Sequence, residues 1–546
     1  MKKQFTFGPW QLSSNTTALL VAIFLLVTAN LAFWKNYFSI MPVHDMSSLI
    51  FAAAIASIIT GLIGMVFGLF GFKYVLKPAF SLLAILAAGA AYFMDRYGVV
   101  VDRHALQSVF ETDIREGSEW LSWRMLIYFL LIAGIPILFL WRTDVQFRPW
   151  PRELLARLGY FGLCFAMILL PAGLMYQSIA SLARNHPEIR HQINPYNVLM
   201  AGRNYLSHSV NIAPDKITEM GIDAKKGAFY NSKKPKLLVI VIGESARAES
   251  FSLNGYARQT NPLLGKRDLF NFSNVSSCGT NTATSLPCMF SNLGRDGYDE
   301  KQASGQENLV DVIRHSGLFL EWEDNNTGSK GIANRIEEAD MSTLESASRL
   351  CSEKGCYDAI FFKHLEDEFQ DHPGDMVLVF HQIGSHGPAY FERYPKEFEI
   401  FKPACHTGEL QDCTREEVLN AYDNTILYTD FVLDGIIQRL QERQDSHDVA
   451  MLYVSDHGES TGEKGLYLHG TPYLIAPSQQ THVPMLLWAS RGFLKDRGTQ
   501  SSCLRSQLAN TYSHDNFFHS VLGLLDLKTA VYDKNRDIFS RCESNI

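Results

Sequence analysis

Charge is scarce in the first third of this 546-residue chain. Five stretches, 17–34, 46–72, 78–94, 125–141 and 158–183, carry no Asp, Glu, Lys or Arg in their central portions. A transporter or proton pump places such groups along its ion path, so their absence argues against both. A basic excess is missing too: 49 Lys+Arg against 57 Asp+Glu give −8, which excludes a nucleic-acid binder relying on overall positive charge. Cysteine is nearly absent early, with Cys164 the single one before residue 270. No two cysteines form a CxxC pair, which disfavours a zinc-thiolate site. Nor does any Cys/Ser-x-Pro-x-Arg segment occur, the one a sulfatase needs for its formylglycine.

The five apolar stretches are close to or above the ~17–25 residues that cross a bilayer. The first is longer than a signal-peptide core, lacks a small-residue cleavage site and is followed by further spans, so it stays in the mature protein. Trp10, Trp34, Trp120, Trp123, Trp141 and Trp150 sit at or near span ends, as interfacial anchors do. Lys2, Lys3, Lys73, Lys77, Arg142, Arg148, Arg152 and Arg157 share one side, against Lys35, Arg96, Arg103, Arg115 and Arg124 on the other. By the positive-inside rule the N-terminus is cytoplasmic, and five spans leave the rest outside the cytoplasm.

The eight late cysteines agree with that placement, since stable disulfides need an oxidising compartment such as the periplasm. Sequence proximity pairs Cys278 with Cys288, Cys351 with Cys356, Cys405 with Cys413 and Cys503 with Cys542. Mean hydropathy of −0.04 is then the average of an anchor, +4 over residues 1–180, and an acidic remainder of −12. The expected division is a five-helix transmembrane domain over 1–183 with a periplasmic helix near 100–123, a linker and interfacial helix over 184–235, and a periplasmic catalytic domain over 236–546.

Within 236–546, apolar runs at 237–242, 376–380, 449–454 and 483–488 are separated by helix-length sequence, which predicts an α/β domain with a mostly parallel sheet. Glu244 follows the first run, His381 and His386 the second, and Asp456 and His457 the third. Open α/β sheets bind ligands beyond the carboxyl ends of their strands, so these residues converge. Glu244, Asp456 and His457 form an oxygen/nitrogen set suited to Zn²⁺ and tolerable for Mn²⁺. A fourth ligand and nucleophile is expected in the hydroxyl-rich turn between Cys278 and Cys288, where a metal ion would activate a threonine; spacing alone leaves Thr280, Thr282 and Thr284 open.

Taken together, Gly243-Glu-Ser-Ala-Arg-Ala248, Cys278-Gly-Thr-Asn-Thr-Ala283, Pro287-Cys-Met-Phe-Ser291, His381-Gln-Ile-Gly-Ser-His-Gly-Pro388 and Ser455-Asp-His-Gly-Glu459 resemble the lipid A phosphoethanolamine transferases, which include the mobile colistin-resistance enzymes of the alkaline phosphatase superfamily. The resemblance covers essentially the whole chain. It implies an alkaline-phosphatase-like periplasmic domain on an inner-membrane anchor, with Thr282 as the nucleophile and Glu244, Thr282, Asp456 and His457 holding one tight Zn²⁺. It implies that His386 and His469 bind a second zinc or the phosphate group, and that Asn326 and Lys330 bind substrate. Ser108, Thr112 and Glu116, spaced to share one helix face, fall where the family binds the ethanolamine head group, with asparagine in place of Ser108. The implied reaction moves phosphoethanolamine from phosphatidylethanolamine, through a phosphoethanolamine-threonine, to a phosphate of lipid A, which weakens attraction to polymyxin-like cationic peptides. A monomer with no nucleic-acid partner is expected. The alternatives are transfer to a lipopolysaccharide core sugar or a periplasmic glucan, and a phosphoglycerol transferase.

Overall fold

The computed structural model describes residues 10–111, 117, 119–209, 217–344, 348–352 and 354–543. The chain divides into two compact units, residues 1–106 with 121–205, and residues 107–120 with 206–546.

The first unit is helical. Four of its helices, Met46–Leu69, Leu76–Tyr97, Trp123–Arg142 and Trp150–Leu174, are long and apolar enough to cross a membrane, and the pair Ser14–Thr28 and Leu31–Ile40 makes a fifth candidate bent by 59°. The bend falls at Asn30, whose side-chain amide donates to the carbonyls of Leu25 and Asn194 at 2.9 Å each, tying the break to the segment around Asn194. The last span departs from the expected 158–183. Its helix starts at Trp150, carries Pro171, ends at Leu174 and gives way at Met175 to a separate helix, Tyr176–Asn185.

Gly61, Gly64 and Gly68 let Met46–Leu69 approach Trp150–Leu174 closely. A Cβ on Gly61 would lie 2.8 Å from the Cys164 carbonyl oxygen, and one on Gly68 2.8 Å from the Tyr160 ring. Small residues at such spacing are how apolar helices gain contact where water supplies no driving force. The Tyr160 hydroxyl donates to the Gly64 carbonyl at 2.9 Å across the same seam.

The second unit is built on an eight-stranded sheet. Its strands are β1 (Lys236–Gly243), β2 (Phe270–Ser276), β3 (Phe319–Asp324), β4 (Glu337–Asp340), β5 (Met376–His381), β6 (Asp448–Ser455), β7 (His482–Ala489) and β8 (Tyr512–Ser513). Their spatial order is β8-β2-β7-β6-β1-β5-β3-β4. β1, β5 and β6 are buried along their whole length, which is why they read as continuous apolar runs without alternation. β6-β1-β5-β3-β4 are parallel, while β7 runs antiparallel to both β6 and β2. The helices α1 (Thr282–Phe290), α2 (Phe361–Asp371) and α3 (Arg415–Glu442) belong to this unit. Disulfides join Cys278 to Cys288, Cys351 to Cys356, Cys405 to Cys413 and Cys503 to Cys542, and Cys164 is a buried free thiol.

Candidate active site

Four adjacent parallel strands end side by side, and the register fixes what meets there. Ser455 pairs with Gly243 and His381 with both Ile242 and Asp324, so the residues that follow, Asp456, Glu244 and Asn326, emerge in one row. Gly384 lets the loop after β5 close over this row. A Cβ there would stand 2.7 Å from the Glu244 carbonyl oxygen, and the Ser385 N–H donates to that carbonyl at 2.9 Å.

The hydroxyl-rich turn meets the row from above α1. Asn281 caps the helix by accepting from the Thr284 N–H at 2.9 Å, leaving Thr282 as the first helical residue. Thr282 Oγ1 donates to Glu244 Oε2 at 2.9 Å and lies 3.3 Å from His457 Nε2. Thr280 is turned away, its hydroxyl donating to the Thr471 carbonyl at 2.7 Å. His514, absent from the sequence reading, pins the turn to the sheet. Its Nδ1 accepts from the Cys278 N–H at 3.1 Å and its Nε2 donates to the Ser455 carbonyl at 3.0 Å, so the ring is neutral, and burial pushes its pKa down to about 3.

Glu244, Asp456 and His457 are fully buried and mutually close enough to hold a metal ion. His457 Nε2 lies 3.2 Å from Glu244 Oε1 and 3.3 Å from Asp456 Oδ2, while its Nδ1 donates to the Gly458 carbonyl at 2.9 Å. That bond fixes the tautomer and leaves Nε2 for a ligand. Burial opposes charge on His457, but Asp456 and Glu244 outweigh it and raise the ring to about 10. Burial also opposes charge on Glu244, where His457 prevails and holds the carboxyl well below its usual range. Asp456 goes the other way, pushed up by burial and by Glu244. Asp456 Oδ2 accepts no hydrogen bond. Two buried carboxylates with an orphaned oxygen call for a cation, and with Thr282 Oγ1 the donors form the mixed oxygen/nitrogen set that Zn²⁺ takes.

Around this centre Asn326 donates from its side-chain amide to Glu244 Oε2 at 3.0 Å and to the Gln382 carbonyl at 2.9 Å. A second metal-capable group is His457, Glu459 and His469. Glu459 received no role from sequence; it lies 2.8 Å from His469 Nδ1 and accepts from the Tyr390 hydroxyl at 2.7 Å, and its place one residue beyond Gly458 in the Asp-His-Gly-Glu motif was the available signal. The His386 ring centroid is 5.7 Å from that of His469, and burial drives His386 down to about 3, so it stays a neutral imidazole. Lys330, in the left-handed region at φ 53°, donates to the Thr327 carbonyl at 3.1 Å. Ser108 lies in the helix Arg103–Glu111, and Thr112 and Glu116 lie outside the described residues. Also unforeseen is Arg393, whose Nε donates to the His386 carbonyl at 2.8 Å while its Nη2 contacts both Glu119 oxygens at 2.6 Å.

A buried metal-capable cluster beyond the carboxyl ends of a mostly parallel sheet, with a hydroxyl at a helix start, defines a class: sulfatase-type group-transfer enzymes, here joined to a helical unit with membrane-length apolar helices. Residues 236–527 match the Sulfatase family and residues 59–210 the family described as phosphoethanolamine transferase EptA/EptB. The chain is 37% identical over 528 residues to phosphoethanolamine transferase EptA of Escherichia coli (strain K12), covering 96% of each. It is 38% identical over 534 residues to phosphatidylethanolamine transferase Mcr-1 of Escherichia coli, covering 95% of this chain and 96% of that one. The structure of integral membrane protein lipooligosaccharide phosphoethanolamine transferase A from Neisseria meningitidis matches with a TM-score of 0.94 at 34% identity, over 98% of this chain and 100% of that one. The chain belongs to the phosphoethanolamine transferase family.

Proposed function

We propose that the enzyme transfers phosphoethanolamine from phosphatidylethanolamine to a phosphate of lipid A by way of Thr282, in the bacterial inner membrane with its N-terminus cytoplasmic and its catalytic unit periplasmic. The observation that carries this reading is the aim of Thr282 Oγ1 at Glu244 Oε2 and His457 Nε2. Glu244, Thr282, Asp456 and His457 would hold one Zn²⁺, which supplies Lewis acidity that lowers the pKa of the hydroxyl and draws charge from phosphoryl oxygens. Glu244 Oε2 takes up the hydrogen bond from Thr282 Oγ1 and orients it. In the first half-reaction Oγ1 gives up its proton and forms a bond to the donor phosphorus, while the bond from phosphorus to the diacylglycerol oxygen breaks and that oxygen leaves with the electron pair and takes up a proton, so that none is gained or lost overall. In the second, a lipid A phosphate oxygen attacks the same phosphorus and the threonine leaves with its electron pair. Lys330 offsets phosphoryl charge in both, with His386 and His469 binding phosphate or a second zinc. Ser108, Thr112 and Glu116 bind the ethanolamine head group. The enzyme works as a monomer, and its product resists polymyxin-like peptides.

Intact-mass measurement after incubation with phosphatidylethanolamine tests this. One phosphoethanolamine adduct on the wild type and none on Thr282→Ala is expected; no adduct on the wild type, or an equal one on the variant, sinks the reading. Chelation is expected to abolish transfer and Zn²⁺ alone to restore it.

A further inference from the structure

The large apolar side chains most open to solvent in the second unit are Val109, Phe110, Leu206, Ile222 and Ile400, at 60–65%, and Leu474. Leu474 is 96% exposed, beyond every other large apolar side chain among the described residues. Single exposed hydrophobes are ordinary, so the setting of this one decides what it means. It stands in Pro472-Tyr-Leu-Ile-Ala-Pro477, within a stretch from Gly465 to Ser490 that contains no Asp, Glu, Lys or Arg. Burial of β7 explains the lack of charge beyond His482. The loop before it lies at the surface and has no such reason.

The loop is also held rigidly. The Tyr473 hydroxyl donates to the Ser277 carbonyl at 2.9 Å, and the Arg295 guanidinium lies over the Tyr473 ring, 3.1 Å from its centroid. A 3₁₀ turn over Tyr473–Ile475 is closed by the Ile475 N–H, which donates to the Pro472 carbonyl at 2.9 Å. Behind it the buried Gln480 accepts from the Thr471 N–H at 3.1 Å. Leu474 is therefore kept out in water on a fixed base, where a slack loop would let it fold back. That base is bonded to the turn leading into Thr282: the Gly470 N–H donates to the Thr280 carbonyl at 2.7 Å, and the Thr280 hydroxyl donates to the Thr471 carbonyl.

An uncharged apolar loop offers no ion pair to a charged protein surface or an acidic glycan. Interfacial insertion needs only apolar and aromatic side chains presented to a lipid surface. The chain itself supplies that surface, with four helices of membrane-crossing length, or five counting the bent pair. We infer that Leu474 inserts into the bilayer surface and holds the Thr282 turn at the head-group layer. The consequence for catalysis rests on the function proposed above, since it is the donor lipid that would be met there; the insertion itself does not.

The test uses the full chain in bilayer nanodiscs of phosphatidylethanolamine and phosphatidylcholine. A nitroxide is attached to Leu474→Cys in a Cys164→Ser background, and for comparison to Asp445→Cys, an exposed position before the amino end of β6. The label at 474 is expected to collide more with oxygen than with a water-soluble nickel chelate, and the label at 445 the reverse. Equal access of the chelate to both overturns the inference. Leu474→Ser is expected to form the Thr282 adduct about fivefold or more slowly from the nanodisc lipid, yet within about twofold of wild type from a short-chain phosphatidylethanolamine dissolved as monomers. Leu474→Trp, which also favours the interface, is expected to keep the bilayer rate. Wild-type speed of Leu474→Ser in the bilayer overturns the inference. So does equal slowing with both donors, which would place Leu474 at the reacting lipid, and so do dimers that Leu474→Ser dissolves, which would assign the loop to a second copy. A wild type that forms no adduct overturns the proposed function instead, and the collision measurement still decides the insertion.

Discussion

Asn326 shows how one uncharged side chain can govern a charged site. Its amide spans Glu244 and the Gln382 carbonyl, holding a carboxylate that is also bound by Thr282 and Ser245. Asn326→Ala removes that constraint without altering a donor atom, and outer-shell losses of this kind typically cost 10–100-fold in metal affinity. Competition with a coloured chelator is expected to show a decrease of that order, and unchanged affinity would deny Asn326 the orienting role. Legibility at this scale followed chain proximity. Glu244, Asp456 and His457 could be picked out because each comes directly after an apolar run. Thr282 could not be separated from Thr280 by spacing, because what separates them is a carbonyl nearly two hundred residues away, that of Thr471. Arg393 and Glu119 lacked any local pattern, since their contact is made between segments 274 positions apart.

Among the elements, β3 carries an unusual load. Glu321 and Glu323 point to one face, and Glu323 is buried with neither carboxylate oxygen hydrogen-bonded. Burial, then Glu321, Glu368 and Asp367, raise Glu323 well above the usual carboxylate range; burial, then Glu368 and Glu337, bring Glu321 to about 7. The folded state therefore keeps protons that the unfolded chain releases near pH 4.5. Because the folded state binds more of them, stability is fullest below the unfolded value and falls as pH rises through the folded one. Glu323→Gln keeps the shape and removes the ionisation. Thermal melting is expected to show the variant level with the wild type near pH 4.5 and more stable at pH 8, each kcal/mol moving the midpoint by about 2 °C or less in a unit larger than those of roughly 250 residues. An equal difference at both values would rule out a buried ionisation as the cause. The strands themselves were readable from apolar runs, because burial on both faces leaves that signature. The antiparallel direction of β7 was not, since hydrophobic pattern is the same whichever way a covered strand runs.

At the level of the whole molecule, the chain crosses between its units more than once. Residues 107–120 group with the catalytic unit although residues on both sides of them, 1–106 and 121–205, belong to the helical one. The charge split between halves announced two environments but not this exchange, which depends on tertiary contacts that leave no mark on composition. Likewise the run 158–183 looks like one span, and the break at Met175 follows Pro171 near the end of the helix. The Arg393–Glu119 pair is where the exchange has an energetic consequence, because both side chains are buried, at 5% and 9% exposure. Glu119→Ala in the full chain keeps the rest of the segment and leaves a buried cation without its carboxylate. Removing one partner of such a pair costs about 3–5 kcal/mol, whereas removing the stranded charge as well relieves much of it. Arg393→Leu is therefore expected to lower the melting temperature of the wild-type chain and to raise that of Glu119→Ala. Calorimetry or circular dichroism on the four proteins reads the sign directly. A decrease in both backgrounds would mean that Arg393 acts through its bond to the His386 carbonyl and not through Glu119.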